Sequence, residues 1–147
     1  MRIELLVVVI IIGVLATIAL PNMLSNISKA KGSEAVTRIR EYIQAQGGYR
    51  MQHGEFSNDW DDLAINPNGD NYTYEMKNDG VESRILAVPK NEDIRAMAGG
   101  IAIAPNQSFV SGICQANRAG KESAVINEVI FNMGKLQVNC GKGLKKI

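Results

Sequence analysis

The hydrophobic pattern of this 147-residue chain is dominated by one apolar run near its start. The sixteen positions from Leu5 to Leu20 are all apolar or small, and the PNML segment at 21–24 extends the run to about twenty positions. Sixteen helical residues reach about 24 Å, against about 30 Å for the hydrocarbon core of a bilayer. Because the run is apolar on every face, it predicts a transmembrane or assembly helix over residues 1–24, not a core helix.

The pattern becomes amphipathic beyond this run. Val36, Ile39 and Ile43 have helical spacing, with charged residues mostly on the other face. They predict that the helix continues over residues 25–46, packs against a sheet, and stops at Gly47–Gly48. Gly13 and Pro21 predict a bend, because glycine weakens a helix and proline removes one of its hydrogen bonds.

The rest of the chain predicts a globular head, which with the amphipathic helix covers residues 25–147. Residues 47–71 predict a loop with one short helix, capped by Ser57 or Asn58, with Trp60 and Leu63 facing inward. Residues 72–147 predict an antiparallel sheet and a C-terminal region that adds a strand or a flap. Four strands are predicted: Tyr72–Met76 alternates, Ser83–Val88 is bounded by turn residues, and Gly100–Ala104 and Ser108–Cys114 flank a hairpin turn at 105–107. The predicted fold class is α+β, with the long helix packed on a roughly four-stranded sheet.

Charge is balanced overall but uneven along the chain. The net charge is +1, acids dominate from Glu55 to Glu82, and Lys142, Lys145 and Lys146 lie near the end. This asymmetry is typical of solvated faces, and its more specific interpretation is contact between oppositely charged patches of identical subunits. The few lysines lack aromatic companions, which argues against nucleic acid as a partner.

No catalytic, cofactor or metal site is predicted. His53 is the only histidine, so a two-histidine metal site is excluded, and we expect it at the surface. The NPNGDN segment at 66–71 has an incomplete calcium-loop pattern and indicates a turn. No phosphate-binding loop or nucleophile motif occurs, so the chain is not expected to be an enzyme.

Glu4 stands directly before the apolar run, where a carboxylate is unfavourable unless it has a partner. A cleaved signal peptide would have a basic start and a cleavage triplet, but here Glu4 accompanies Arg2 and no good triplet follows Leu20. A plain membrane anchor explains the length of the run but not the acid, which is costly in a bilayer. Arg2 is two residues away and does not face Glu4 on a helix. We therefore expect a partner from another molecule, such as an N-terminal ammonium group, that fixes the register between neighbouring helices.

The segment IELLVVVIIIGVLATIALPN resembles the assembly helix of type IV pilins and of type II secretion pseudopilins. The resemblance lies in the acid, the apolar run, Gly13 within it, and the Pro21–Asn22 pair that ends it. The resemblance implies a filament of identical or related subunits held by this helix, and Pro21 would let its apolar half extend on packing or would simply kink it. It also implies a prepilin peptidase, an assembly ATPase and a platform protein as partners. The family's leader glycine and methylated phenylalanine have no counterpart in Met1–Ile3, so no processing residue is assigned.

Cys114 and Cys140 would form a disulfide in an exported head or stay free thiols in the cytosol. The resemblance implies an exported head, and hence a Cys114–Cys140 disulfide closing the C-terminal region. It further implies a single-pass precursor in the bacterial inner membrane and then a cell-surface pilus.

Three roles share such a helix: major pilin, minor pilin and secretion pseudopilin. A more distant alternative is a monomeric, membrane-anchored binding module outside the cytoplasm. The sequence does not choose among motility, adhesion, DNA uptake and secretion.

Overall fold

A computed structural model describes residues 2–120, 129–132, 135–141 and 144–147, with the side chains of residues 18–26 excluded. One long helix, α1, spans Arg2–His53. Seven strands follow it: β1 Tyr72–Asn78, β2 Glu82–Pro89, β3 Arg95–Ile103, β4 Phe109–Ala119, β5 Val129–Asn132, β6 Gln137–Cys140 and β7 Leu144–Lys146.

The strands form two antiparallel sheets. The larger sheet has the order β1-β2-β3-β4-β7, and β5 pairs with β6 in a separate hairpin. The α+β architecture is confirmed, but the main sheet has five strands instead of four. The fifth is the chain's last segment, which returns to pair with β4 between Cys114 and Ala116.

Strand β3 lies in the middle of three layers and explains why small residues are concentrated there. One face of β3 packs on α1, where Met97 and Ile101 join the helix residues. The other face carries Ala98 and Gly100, which lie beneath the β5–β6 hairpin. β3 begins at Arg95, five residues before the predicted start at Gly100, and because both of its faces are covered it lacks the alternation that would mark its start in the sequence.

The core between α1 and the sheet is built from the amphipathic half of the helix. Ala35, Ile39 and Tyr42 are fully buried and pack on side chains of β1, β2 and β3. This placement confirms that the periodic apolar positions of residues 25–46 face the sheet, and burial of these side chains supplies the main stabilisation of the head.

The predicted helix end at Gln46 is wrong, because α1 continues to His53. Gly47 lies where the Ile101 side chain packs on the helix, and a Cβ there would lie 3.3 Å from Cδ1 of Ile101. A helical glycine costs only about 1 kcal/mol relative to alanine, which packing readily offsets. The helix ends at Gly54 instead, which has a φ of 80° and donates its N–H to the Arg50 carbonyl at 2.8 Å.

The predicted short helix near residue 60 is also wrong. Residues 60–65 form one hydrogen-bonded turn, in which Leu63 and Ile65 both donate to the Trp60 carbonyl. Ala64 has a φ of 55°, a left-handed conformation that prevents further helical turns. Leu63 is buried as predicted, and Trp60 is half-buried against Tyr42.

A buried amide ties the following loop to the helix. Gln46 is fully buried, accepts a hydrogen bond from the Ser57 N–H at 2.9 Å, and donates one to the Ser57 carbonyl at 2.8 Å. Both backbone groups of Ser57 are therefore satisfied away from water, which fixes the loop against α1.

The NPNGDN segment forms a turn, as predicted. Asn68 donates its N–H to the Asn66 side chain, and Gly69 donates to the Tyr72 carbonyl. Both carboxylate oxygens of Glu34 accept backbone hydrogen bonds, from Asp70 at 2.8 Å and Asn71 at 3.1 Å. An acid on the helix therefore holds this turn in place.

Cys114 and Cys140 are joined by a disulfide that links β4 to the end of β6. Val129 and Val138 of the hairpin are buried against the same region of the sheet. The disulfide and these apolar side chains together hold the β5–β6 hairpin on the face of the sheet opposite α1.

Candidate subunit interface

The first half of α1 exposes apolar side chains on every face. Every large apolar residue from Ile3 to Leu15 is between 48% and 77% exposed. Soluble monomers rarely expose a continuous apolar surface of this size, which is typical of a protein or membrane interaction site. We call residues 3–15 the apolar half-helix, and it can be covered only by lipid or by other protein.

Apart from Glu4, polar groups do not interrupt the described part of this surface. Thr17 donates its hydroxyl to the Val14 carbonyl at 2.8 Å, so its polar atom is satisfied within the helix. A Cβ at Gly13 would meet no atom within 4 Å, so this glycine is not required by packing within the chain. The Cβ position of Gly13 is therefore open on the helix surface.

Glu4 lies in the first turn of α1 and is exposed. Within residues 2–120 and the other described segments, it forms no hydrogen bond or ion pair, and Arg2 does not contact it. The N-terminal end of a helix favours a negative charge. The Glu4 carboxylate is thus available to a partner outside the chain.

The predicted bend at Pro21 falls among residues 18–26, whose side chains lie outside the described part of the structure. The helical backbone is continuous through this stretch from Arg2 to His53. Among the described residues, no helix is long and apolar enough to cross a membrane.

The remaining predicted residues lie apart from the apolar half-helix. His53 ends the helix, is exposed as expected, and stacks on Tyr49 with ring centroids 4.0 Å apart. Lys145 and Lys146 are exposed on β7, whereas Lys142 lies outside the described residues. The described residues contain no group of three or more histidine, cysteine or acidic side chains suited to a metal ion.

Three tyrosines lie at the junction between α1 and the sheet, and burial raises the pKa of each phenol. Desolvation is the main cause of the raised pKa for Tyr42, Tyr72 and Tyr74, and the Glu34 carboxylate raises the last two further. Tyr72 donates its hydroxyl to the Arg95 carbonyl at 2.7 Å. The environment of the junction therefore favours the neutral form of all three phenols.

Sequence reasoning missed the basic side of the head. Lys29 and Arg40 are eleven residues apart, which places them on the same face of a helix with Val36 between them. They line a cleft beside β3, β4 and β7, together with Arg95 and Lys145. The helical spacing was visible in the sequence, but the pairing of β7 with β4, which brings the distant lysines there, was not.

Comparison with known proteins gives one family match and one curated relative. Residues 32–141 match the sequence profile of the family described as "Type IV pilin-like G and H". The "Type IV major pilin protein PilA" of Myxococcus xanthus is 31% identical over 111 residues, which cover 75% of this chain and 49% of the relative. The chain thus spans about half the length of this relative. No solved structure matches significantly. The family profile covers the head, so it is independent of most of the N-terminal motif, and on that match the chain belongs to the type IV pilin-like family.

Proposed function

We propose that this protein is the structural subunit of a type IV pilus-like filament, assembled through its apolar half-helix. The observation that carries the proposal is the exposure of every large apolar side chain from Ile3 to Leu15. A bundle of identical helices would cover this surface on all sides.

Apolar burial would supply most of the cohesion of such a filament. Burying 1,000 Å² of apolar helix surface is worth about 25 kcal/mol before the entropy of association is subtracted. A single ion pair contributes far less, so the role proposed for Glu4 is to select the register between helices. A wrong register would leave its carboxylate unpaired among apolar side chains.

Before assembly, the subunit would reside in the bacterial inner membrane with its head outside the cytoplasm. The length of the apolar run from Leu5 to Leu20 supports this location, and so does the disulfide, since disulfides persist in oxidising compartments. A prepilin peptidase, an assembly ATPase and a platform protein would process and extract it.

The printed name of the Myxococcus relative favours a major pilin among the possible roles. A minor pilin and a type II secretion pseudopilin use the same kind of helix and are the alternatives. A filament composed almost wholly of this chain identifies a major pilin, whereas trace amounts in a filament of another chain identify a minor one.

The proposal is tested by shearing filaments from cells that express the full chain and comparing Glu4→Ala with wild type. We expect wild type in high-mass filaments and a filament yield at least about fivefold lower for Glu4→Ala, with the membrane-inserted monomer still present. Glu75→Ala is the matched control, because Glu75 is an exposed acid in the head.

Two outcomes would contradict the proposal. Wild-type protein that stays monomeric in cells with a complete assembly apparatus would favour the anchored binding module. An unchanged filament yield for Glu4→Ala would remove the register role from Glu4 while leaving the filament intact.

A further inference from the structure

A cleft of about 1030 Å³ lies between α1 and the sheet, away from the apolar half-helix. Helix residues from Ser28 to Arg40 form one wall, and β3, β4 and β7 form the other. Five exposed cationic side chains line it: Lys29, Arg40, Arg95, Lys145 and Lys146. We call this cleft the basic groove.

The charges of the basic groove are unbalanced within the chain. Asp93 is its one acidic side chain, and Lys31 already lies 3.5 Å from that carboxylate. Within the described residues, none of the five cationic side chains forms an ion pair or a side-chain hydrogen bond. The groove therefore favours an anionic occupant.

An exposed acidic surface of complementary charge lies elsewhere on the same head. Glu55, Asp59, Asp61 and Asp62 are all exposed in the segment that follows α1, which we call the acidic loop. The loop is ordered by buried Phe56, by Gln46, and by a hydrogen bond from the Ser57 hydroxyl to Asp62 at 2.8 Å. These contacts fix the backbone that carries the four carboxylates.

The two surfaces cannot meet within one subunit. The groove lies beside residues 28–40 of α1, whereas the acidic loop packs beside Tyr42 and Gln46. The midpoints of these two stretches of α1 are ten residues apart, which is about 15 Å along the helix axis. Arg40 and Tyr42 are two positions apart and point to different sides of the helix.

We propose that the basic groove of one subunit receives the acidic loop of a second copy of this chain, an inference that rests on the proposed filament. Two different patches on one molecule form a head-to-tail contact, and repeated contacts of that kind produce an open helical assembly. The displacement along α1 places the second copy further along the same axis.

This contact would choose the arrangement of subunits and would add little to their cohesion. Exposed ion pairs are worth about 0–1 kcal/mol each and are screened by salt, whereas like charges brought together are strongly unfavourable. Filament formation should therefore tolerate loss of one charge and fail when several charges are reversed.

The first test reverses charges in full-length protein and measures sheared filaments. Arg40→Glu with Lys145→Glu should lower filament yield at least about fivefold, and so should Glu55→Lys with Asp61→Lys. Combining the four changes should restore most of the yield. Lys135→Glu is the control, since Lys135 is exposed in the turn between β5 and β6.

The second test uses a zero-length carbodiimide cross-linker on filaments that mix ¹⁵N-labelled and unlabelled subunits. We expect mixed-isotope cross-links from Lys29, Lys145 or Lys146 to carboxylates of the acidic loop. Normal disulfide formation in every variant shows that the reversed charges did not prevent folding.

The outcomes separate this contact from the filament itself. One outcome is that the groove variants form filaments as well as wild type and Lys135→Glu do, and that no such cross-links are found. The proposed contact is then wrong, and the filament proposal stands. If the groove variants retain filaments but lose retention of duplex DNA, the groove binds a polyanion, which also overturns the contact. Absence of filaments from wild type overturns the filament proposal instead.

Discussion

At the scale of single residues, the closest approach of helix and sheet occurs at Gly99. A Cβ placed there would lie 2.3 Å from Cγ2 of the fully buried Ile39. The β-carbon side of Gly99 is therefore occupied by the helix, and the distance between α1 and β3 depends on the absence of a side chain at this position.

Gly99→Ala should lower the free energy of unfolding by about 1–3 kcal/mol, because the added methyl group overpacks the junction. Urea unfolding of the detergent-solubilised full chain measures this change. Adding Ile39→Leu, which removes the branching methyl group, should recover part of the loss. Gly48→Ala is the control, since nothing lies within 4 Å of its Cβ position, and a stability loss equal to that of Gly99→Ala would refute the packing argument.

Two acids of the helix show what could be predicted for single residues. Glu4 was singled out because its immediate neighbours are apolar, which is visible in the sequence. Glu34 holds the turn at Asp70 and Asn71, more than thirty residues away, and nothing in its neighbourhood along the chain indicates this role. The role of Glu4 stays a prediction from its adjacent residues, whereas the role of Glu34 depends on distant residues and could not be predicted from the sequence.

At the scale of elements, the β5–β6 hairpin is the part most dependent on a cross-link. It is a two-stranded hairpin of four residues a strand, and such hairpins are marginal alone. Val129 and Val138 cover the sheet, and Cys140 attaches the hairpin to β4. The hairpin is therefore stabilised by tertiary contacts and not by its own pairing.

Replacing both cysteines, Cys114→Ser with Cys140→Ser, should lower the free energy of unfolding by about 3.5 kcal/mol, because the disulfide closes a loop of 26 residues in the unfolded chain. Unfolding measured with and without dithiothreitol gives the change for wild type. The double variant serves as the control, since its stability should not respond to reductant. Two freely labelled thiols in native protein would contradict the bridge.

At the scale of the whole molecule, the junction between α1 and the sheet should make the free energy of unfolding decrease at alkaline pH. Burial raises the pKa of Tyr42, Tyr72 and Tyr74 above the ordinary value of 10.0. Below pH 10 both folded and unfolded chains keep these protons, so stability does not change through them. Above pH 10 the unfolded chain releases protons that the folded chain retains, and the free energy of unfolding falls by up to about 1.4 kcal/mol per pH unit for each tyrosine.

Urea unfolding at several pH values between 8 and 11 measures this slope, and absorbance near 295 nm follows ionisation of the phenols. Tyr72→Phe should make the decline above pH 10 less steep, even though it removes the hydrogen bond to Arg95 and lowers stability at neutral pH. An unchanged slope in this variant would show that Tyr72 does not titrate in the way that burial requires.

The amino-acid sequence by itself determined the apolar surface of the first half of α1 and much of the sheet. This surface needs no distant contact, because the sixteen consecutive apolar or small residues from Leu5 to Leu20 make any helix that they form apolar on every face. Alternation and turn residues likewise placed β1 and β2 within two residues of their observed bounds, because these are local properties, while β3 and β4 each extend five residues beyond the prediction at one end. The inward face of the amphipathic segment followed from helical spacing alone.

Tertiary structure decided where the helix ends, how the last strand pairs, and which charges come together. The helix passes Gly47–Gly48 because Ile101 packs there, and β7 adds a fifth strand because β4 offers it a free edge. That pairing brings Lys145 and Lys146 to the same cleft as Lys29 and Arg40, more than a hundred residues earlier. Local patterns carry no information about contacts of this range, because such contacts are chosen by the packing of the whole head.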